Sequence, residues 1–168
     1  MDQIGPELLG RLIDEHAAAL VLYARQWCDS PEDVVQEALL KLARQSRPPD
    51  DVVAWLYRVV RNLAVSAARS AKRRRHHEAS AAKTMHVWFG EADQAPIDAQ
   101  TATAALAGLP SEQREVLVAH LWGGLTFEEI GRLAGCSSST AHRHYVAGLA
   151  NLRERLGVAC PRQDSTQT

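Results

Sequence analysis

Residues 125–152 read LTFEEIGRLAGCSSSTAHRHYVAGLANL, and this segment carries the clearest structural pattern in the sequence. Its apolar residues follow helical spacing on both sides of Gly135, which predicts two short helices joined at a glycine. Thr126 and Glu129 predict a capping box at the start of the first helix, and Ser137 predicts a cap for the second. The second helix then opens with serines, a threonine, two histidines and an arginine, and this polar front needs a polar partner.

Two glycines four residues apart give these helices the spacing of a helix-turn-helix. Gly131 allows close approach of the helices, and Gly135 can adopt the left-handed conformation of the corner. In this motif the second helix enters the DNA major groove with its N-terminal residues first, while Ala141 and Tyr145 would face the domain interior. A plain helical hairpin is the alternative. The candidate DNA-binding residues of the recognition helix are Ser138, Ser139, Thr140, His142, Arg143 and His144.

Charge is unevenly distributed along the chain. The 168 residues are 46% hydrophobic and carry a net charge of −1. Residues 1–54 hold ten acidic residues against five Lys and Arg, whereas residues 55–77 hold seven Lys and Arg and no acid. A basic segment inside a nearly neutral chain indicates contact with a polyanion at one place.

The spacing of the cysteines and the hydropathy of the chain indicate its cellular compartment. Cys28, Cys136 and Cys160 lie far apart without a C-x-x-C pair, which favours a reducing compartment over a disulfide framework or a zinc ribbon. No apolar run reaches the roughly 18 residues that a membrane span needs. The N-terminus lacks the basic start and apolar core of a signal peptide. We therefore expect a cytoplasmic protein that does not use a membrane.

All periodic segments follow helical spacing, so we expect an all-α protein without strands. A first helix is predicted for residues 7–27. Ser30, Pro31 and Asp33 have the spacing of a capped second helix, which the prolines of SRPPDD end. A long third helix begins near Val52 and continues into the basic segment.

Two small helical domains joined by a flexible linker are predicted. Residues 79–99 lose the helical periodicity and are punctuated by glycine and proline, which is typical of a linker. The first domain would then be residues 1–78 and the second residues 100–157. Residues 158–168 form a frayed tail.

Three segments together resemble a known family. Residues 106–156 resemble region 4 of bacterial RNA polymerase sigma factors of the sigma-70 family, with the extracytoplasmic-function (ECF) group most similar. DSPEDVVQEALLKLAR, residues 29–44, is similar to region 2.2 of the family. AWLYRVVRNLAVSAARSAKRRR, residues 54–75, is similar to regions 2.3 and 2.4. The resemblance covers roughly residues 7–156 in the family's order and spacing, interrupted at the linker.

The resemblance implies a sigma factor that is not an enzyme and needs no cofactor. Such a protein binds the β′ clamp helices and the β subunit of core RNA polymerase and directs it to promoters. It then helps to melt double-stranded into single-stranded DNA, and an anti-sigma factor is a further partner. By analogy the polymerase-binding residues are Asp33, Gln36 and Glu37. The residues for the minus-ten element and melting are Arg58, Arg61, Asn62, Lys72, Arg73, Arg74 and Arg75, and the recognition helix would read the minus-thirty-five element.

Some positions depart from the family's pattern or have two interpretations. His142 and His144 stand where many relatives carry Lys or Arg, so the upstream contact loses charge. Residues two apart on a helix face different sides, so we expect no metal site at these histidines. Trp55 is predicted to pack in the core, with stacking on an unpaired base as the alternative. By the resemblance, the loop RPPDD, residues 47–51, stands where family members capture a flipped base, and its stiff prolines would suit a preset pocket.

Other functions remain as alternatives. A stand-alone regulator with a LuxR-type helix-turn-helix shares the LT-x-x-E-I opening, yet residues 1–99 show none of the strands of a sensor domain. A sigma-like protein that binds polymerase without promoter activity is compatible with the two histidines. A hydrolase or transferase is disfavoured, because the sequence contains no nucleophile elbow, phosphate loop or convergent acid pair.

Overall fold

The computed structural model describes residues 4–77 and 97–157, and within these ranges the chain is helical with turns and loops. The all-α prediction is confirmed, since this part of the chain contains seven helices and no strand. In chain order they are α1 (Pro6–Ala24), α2 (Pro31–Ala43), α3 (Val52–His77), α4 (Ile97–Ala107), α5 (Ser111–Leu121), α6 (Phe127–Ala134) and α7 (Ser138–Arg155).

Helices α1, α2 and α3 pack against one another as the first domain. The apolar stripe of α2 is buried at Val35, Ala38 and Leu42. Leu56 and Val60 of α3 have no exposed surface and belong to the same buried cluster. Helical spacing of apolar residues thus gives each of these helices one face toward a shared core.

The start of α2 differs from the predicted capping box. Pro31 is the first helical residue, as predicted, but the side chain of Ser30 makes no capping hydrogen bond. The backbone of Ser30 has φ −123° and ψ 65°, outside the extended conformation that normally directs an N-cap hydroxyl at the first turn. The predicted box was therefore wrong, and Glu32 of the first turn pairs instead with Arg25 at 3.0 Å.

Helix α3 begins at Val52, as predicted, and spans 26 residues. Asp51 caps it, because the carboxylate accepts a hydrogen bond of 2.9 Å from the N–H of Ala54. This hydrogen bond lowers the pKa of Asp51. Residues 72–76 are exposed, so the basic end of the helix extends beyond the packed core into solvent.

Helices α4 to α7 form the second domain, in which α7 contacts the other three. Leu117, Ile130 and Ala141 have no exposed surface. Helices α5 and α7 lie very close at Gly148, where an added Cβ would be 2.9 Å from Cδ1 of Leu117. A larger residue at this position would require Leu117 to shift.

Two helix boundaries differ from the expected ones. Helix α1 ends at Ala24, because the N–H groups of Gln26 and Trp27 bond to carbonyls only three residues earlier and tighten the chain. Helix α4 begins at Ile97, inside the predicted linker. The rest of that linker, the predicted tail and Cys160 lie outside the described residues.

The two domains are in contact. Helix α1 touches α5, and α3 touches α6. Tyr23 and Tyr57 of the first domain have no exposed surface and belong to a buried cluster that includes Val116 and Ile130 of the second. The helix-turn-helix is therefore placed beside the N-terminal half of α3.

Candidate functional site

The corner between α6 and α7 has the geometry that its sequence predicts. Gly135 is left-handed, with φ 73° and ψ 34°. A Cβ on Gly131 would lie 2.7 Å from the carbonyl oxygen of Cys136, so only glycine permits this approach. The capping box of Thr126 and Glu129 is present, and the Ser137 hydroxyl accepts a hydrogen bond of 3.1 Å from the N–H of Thr140. Local side-chain chemistry thus fixes where α7 starts and how it leaves the turn.

The front of α7 presents a polar surface to solvent. The exposed residues of the predicted set are Ser138, Ser139, His142 and Arg143, whereas Thr140 and His144 are half-buried. Ala141 is fully buried, as predicted for a residue on the inner face. Arg143 therefore supplies a permanent positive charge to the exposed front of this helix.

An aromatic cluster supports α7 from behind. Phe127 stacks on His120 at 4.5 Å between ring centroids, and Tyr145 contacts both rings. A hydrogen bond anchors this cluster, since Nδ1 of His120 lies 2.7 Å from the carbonyl oxygen of Leu125. A carbonyl oxygen can only accept, so Nδ1 carries the proton. The ring of His142 meets Phe127 edge-on at 5.0 Å, which the sequence did not predict. His142 is thus oriented by its own domain as well as exposed.

His144 has a different neighbour from the other residues of the front. The pKa of Glu112 on α5 is lowered first by a hydrogen bond from its own backbone N–H, then by one from Ser111, and further by the electrostatic influence of His144. His144 therefore lies on the side of α7 that faces α5. Its imidazole is half-buried there.

The predicted minus-ten residues of α3 fall into two groups. Arg58, Asn62 and residues 72–75 are exposed, and their side chains are open to a nucleic acid. Arg61 is half-buried instead, and its Nε donates a hydrogen bond of 2.7 Å to the carboxylate of Glu115. The structure thus places Arg61 against the second domain.

A cleft of about 440 Å³ lies between the predicted base-capture loop and α6. The loop contributes Pro49, Asp50 and Asp51, and α6 contributes a wall from the second domain. Trp55 lines this cleft and also packs on the buried cluster, so it has one side in the core and one toward the cleft. The remaining lining residues are Ala54, Arg58, Glu129, Arg132 and Leu133.

The predicted polymerase-binding residues form an exposed polar side of α2. Asp33, Gln36 and Glu37 are all exposed, and Glu37 pairs with Lys41 at 3.3 Å. A second cleft, of about 310 Å³, has Asp33 and Glu37 on one side and Arg74 of α3 among its other lining residues. The acidic side of α2 therefore borders the basic end of α3.

The described ranges carry no candidate metal site or membrane span. No group of three or more His, Cys, Asp and Glu side chains could hold a metal ion among residues 4–77 and 97–157. In the same part of the chain, no helix combines the length and the apolar character that a membrane crossing requires. Cys28 and Cys136 are free thiols.

Glu115, a buried charged residue that is 7% exposed, was not predicted from the sequence. A signal was present, because Glu115 directly precedes the apolar run Val116–Ala119 on α5. An acid beside a buried run needs a partner in the folded protein. Its partners come from the first domain, 54 and 92 residues away in sequence, and no local pattern indicates them.

Comparison with protein families gives two matches in chain order. Residues 12–74 match the model of Sigma-70 region 2. Residues 105–154 match that of Sigma-70, region 4. Together the matches span most of the chain and correspond to the two domains in contact.

Curated proteins and solved structures agree with these matches. The ECF RNA polymerase sigma factor EcfG of Rhodopseudomonas palustris (strain TIE-1) is 32% identical over 145 residues, which are 83% of this chain and 77% of EcfG. The ECF RNA polymerase sigma factor SigL of Mycobacterium tuberculosis (strain ATCC 25618 / H37Rv) is 31% identical over 162 residues, 90% of this chain and 92% of SigL. The sigma factor RpoE of Bartonella quintana, solved with the anti-sigma factor NepR, shares the fold with a TM-score of 0.72 at 21% identity, over 93% of this chain and 100% of that one. CnrH, solved with the cytosolic domain of CnrY, gives a TM-score of 0.57 at 19% identity, over 94% of this chain and 92% of CnrH.

Proposed function

Because the chain belongs to the extracytoplasmic-function group of the sigma-70 family, we propose that it binds core RNA polymerase, directs it to specific promoters and helps to melt them. One observation carries the proposal: region 2 and region 4 both match, in order, and each has exposed residues of the chemistry its partner needs. The proposed division is residues 1–78 for region 2, 79–99 for the linker, 100–157 for region 4 and 158–168 for the tail.

The proposed polymerase-binding surface is the polar side of α2. Asp33, Gln36 and Glu37 are exposed on a helix that α1 and α3 hold rigidly from behind. Carboxylates on such a helix suit a partner surface rich in Lys and Arg, and their positions resemble the family's docking residues. The core of this domain does not depend on these three side chains.

The proposed minus-thirty-five contact is the exposed front of α7. Ser138 and Ser139 can donate to phosphates, and Arg143 can bind guanine O6 and N7 through two hydrogen bonds. Helix α7 is held at its start by the cap at Ser137 and from behind by Phe127, whose ring packs on Tyr145 of α7. A recognition helix needs this rigidity, because base contacts depend on a fixed register in the groove.

The proposed minus-ten contact lies on α3 and the preceding loop. Arg58 and Asn62 are exposed and would contact single-stranded DNA. Residues 72–75 are also exposed and would provide four cations for its phosphates. Trp55 lines the cleft beside residues 49–51, where a flipped base would find an aromatic face. In this proposal Trp55 serves both packing and melting.

The test is co-elution with core RNA polymerase, followed by mapping of transcription starts on genomic DNA. Charge reversal at Asp33 and Glu37, as Asp33→Lys with Glu37→Lys, should weaken co-elution without unfolding the protein, because both side chains are exposed. The matched control is Glu7→Lys with Asp14→Lys, which makes the same charge change on exposed positions of α1. Equal co-elution of both double variants would reject α2 as the docking surface.

A sigma-like protein that binds polymerase without promoter activity is the second candidate. The two histidines at the start of α7 favour this candidate, because they stand where many relatives carry a cation for DNA. Both also have neighbours within the protein, since His142 packs on Phe127 and His144 faces α5. Co-elution with polymerase but no new transcription start would support this candidate over the first.

An anti-sigma factor is the further partner that we propose for this chain. RpoE of Bartonella quintana, which shares the fold, was solved in complex with the anti-sigma factor NepR. A partner of this class would compete with core RNA polymerase. Its presence should therefore reduce co-elution of the chain with the polymerase.

A further inference from the structure

The contact between the domains is built around one buried carboxylate. Glu115 of α5 accepts a hydrogen bond of 2.8 Å from the Tyr23 hydroxyl of α1. The same oxygen, Oε1, accepts a hydrogen bond of 2.7 Å from Nε of Arg61 on α3. Glu115 is 7% exposed; its bond to Tyr23 is buried, and its bond to the half-buried Arg61 is partly shielded from water. We call this three-residue contact the Glu115 latch.

An aromatic wall surrounds the latch on the side of the first domain. Tyr23 lies 4.9 Å from both Trp27 and Tyr57 between ring centroids, and the guanidinium carbon of Arg61 lies 5.7 Å from the centre of the Trp27 ring. The hydroxyl of Tyr57 is buried and makes no hydrogen bond within the described ranges. A chain segment that docks here must therefore supply an acceptor and fit closely against flat rings.

The turn after α5 fits this wall because residue 123 is a glycine. A Cβ on Gly123 would lie 2.7 Å from Cζ of Tyr57, closer than any real contact of that kind. The second domain thus contributes both a carboxylate for Tyr23 and Arg61 and a bare backbone for Tyr57. Together these two contacts point to α5 and the turn after it as the segment that the surface accepts.

The hydrogen bonds of the latch add little net stability, so this contact can open. Burial raises the pKa of Tyr23, so its hydroxyl keeps the proton that it donates, and the bond to Glu115 raises the pKa of Arg61. Removing a carboxylate and a guanidinium from water costs free energy that their mutual bond largely offsets, so such a pair adds little net stability. When the domains separate, each of these groups is well hydrated, and water can bond to the hydroxyl of Tyr57.

The closed arrangement cannot be the one that spans a promoter. The minus-ten and minus-thirty-five elements are about 25 base pairs apart, or roughly 85 Å of B-DNA at 3.4 Å per step. In the closed arrangement Nε of Arg61 on α3 lies 2.7 Å from Glu115 of α5, and α7 packs directly against α5. Helices α3 and α7 are therefore much closer together than the two promoter elements. Both elements can be reached only after the two domains separate.

We propose that Glu115 is an internal substitute for nucleic acid: it docks on Tyr23 and Arg61, holds the two domains closed and withholds Arg61 from DNA. The last of these effects rests on the proposed function, in which Arg61 contacts the minus-ten region. The docking of Glu115 and the closed form of the chain do not depend on the proposed function. In the closed form α6 also lines the cleft beside Trp55, so the surface for a flipped base faces the second domain.

The test of shape is small-angle X-ray scattering on the full chain. Glu115→Lys places a cation against Arg61, and we expect the radius of gyration to exceed that of the wild type, which should be near the about 15 Å of a compact chain of this length. Glu112→Lys is the matched control, since this exposed acid of the same helix has its neighbours in its own domain. The charge swap Arg61→Glu with Glu115→Arg should return the chain to the compact form. An unchanged radius for folded Glu115→Lys, or no recovery in the swap, would overturn the latch.

The test of inhibition is binding to a duplex that carries a mapped promoter. If the wild type is closed nine times in ten, its apparent Kd is tenfold weaker than that of the open form, so Glu115→Gln should bind roughly tenfold more tightly. The Glu112→Gln control should bind as the wild type does. Expansion of the Glu115 variants without tighter binding would overturn the inhibitory role. Expansion in a protein that binds neither polymerase nor promoter would support the latch and reject the proposed function.

Discussion

Replacing Gly131 by alanine tests the close approach of α6 and α7 at the corner of the helix-turn-helix. The added Cβ would lie 2.7 Å from the carbonyl oxygen of Cys136, and 3.2 Å from the N–H nitrogen of Ser138. Both neighbours are backbone atoms of the turn that leads into α7, so they cannot move aside as a flexible side chain would. The turn itself must open.

Two opposing effects set the size of the change. Alanine is favoured over glycine inside a helix by roughly 0.5–1 kcal/mol. Forcing a methyl group into a packed contact costs about 1–3 kcal/mol. The clash therefore outweighs the helix preference, and Gly131→Ala should lose about 1–2 kcal/mol of unfolding free energy.

Thermal unfolding followed by far-UV circular dichroism measures this change. In a protein of this size, 1 kcal/mol corresponds to roughly 2–4 °C in Tm. Gly10→Ala on α1 is the matched control, because nothing lies within 4 Å of a Cβ there. That variant should gain stability from helix preference alone. A rise in Tm for Gly131→Ala equal to that of Gly10→Ala would show that α6 and α7 have room for the added Cβ.

Three further predictions concern capping and DNA binding. Thr126→Ala should lose about 1 kcal/mol through the capping box of α6, whereas Ser30→Ala should change little because its hydroxyl makes no cap; urea unfolding compares the two. Arg143→Ala should cost about 1–3 kcal/mol at the cognate upstream element and relax the preference at one base pair, and equal losses on cognate and scrambled duplexes would mean that Arg143 does not read sequence. Neutralising residues 72–75 should make the slope of log K against log salt shallower by roughly 0.7–0.9 for each phosphate that is no longer bound, and an identical slope would mean that these side chains only face solvent.

Features that depend on neighbours within four residues were predictable from the sequence. The capping box at Thr126, the left-handed Gly135 and the cap at Ser137 all involve hydrogen bonds or torsions inside one turn. The start of α3 at Val52 belongs to the same class, since Pro48 and Pro49 cannot lie inside a helix and the helical spacing resumes after them. Local chemistry was enough in each case.

Features that depend on contacts between distant parts of the chain could not be predicted from the sequence. The predicted Ser30 cap was wrong because the turn after α1 gives Ser30 a torsion that sequence spacing does not reveal. The edge-on contact of His142 with Phe127 needs the angle between α6 and α7, which glycine spacing allows but does not specify. The environment of Glu115 depends on Tyr23, 92 residues earlier, and so on how two domains meet.

Arg61 shows why the distant contact matters for function. Its position in the sequence suggests a nucleic-acid ligand, whereas in the structure its Nε donates to Glu115 at 2.7 Å, and that N–H cannot also donate to a phosphate. If DNA takes Arg61, then Glu115 is left without its cation while still facing the aromatic wall, and an unpaired buried charge is costly. Separation of the domains relieves this cost by exposing Glu115 to water. In the proposed function, binding of DNA at α3 and release of α5 would therefore be linked, and each would favour the other by the same free energy.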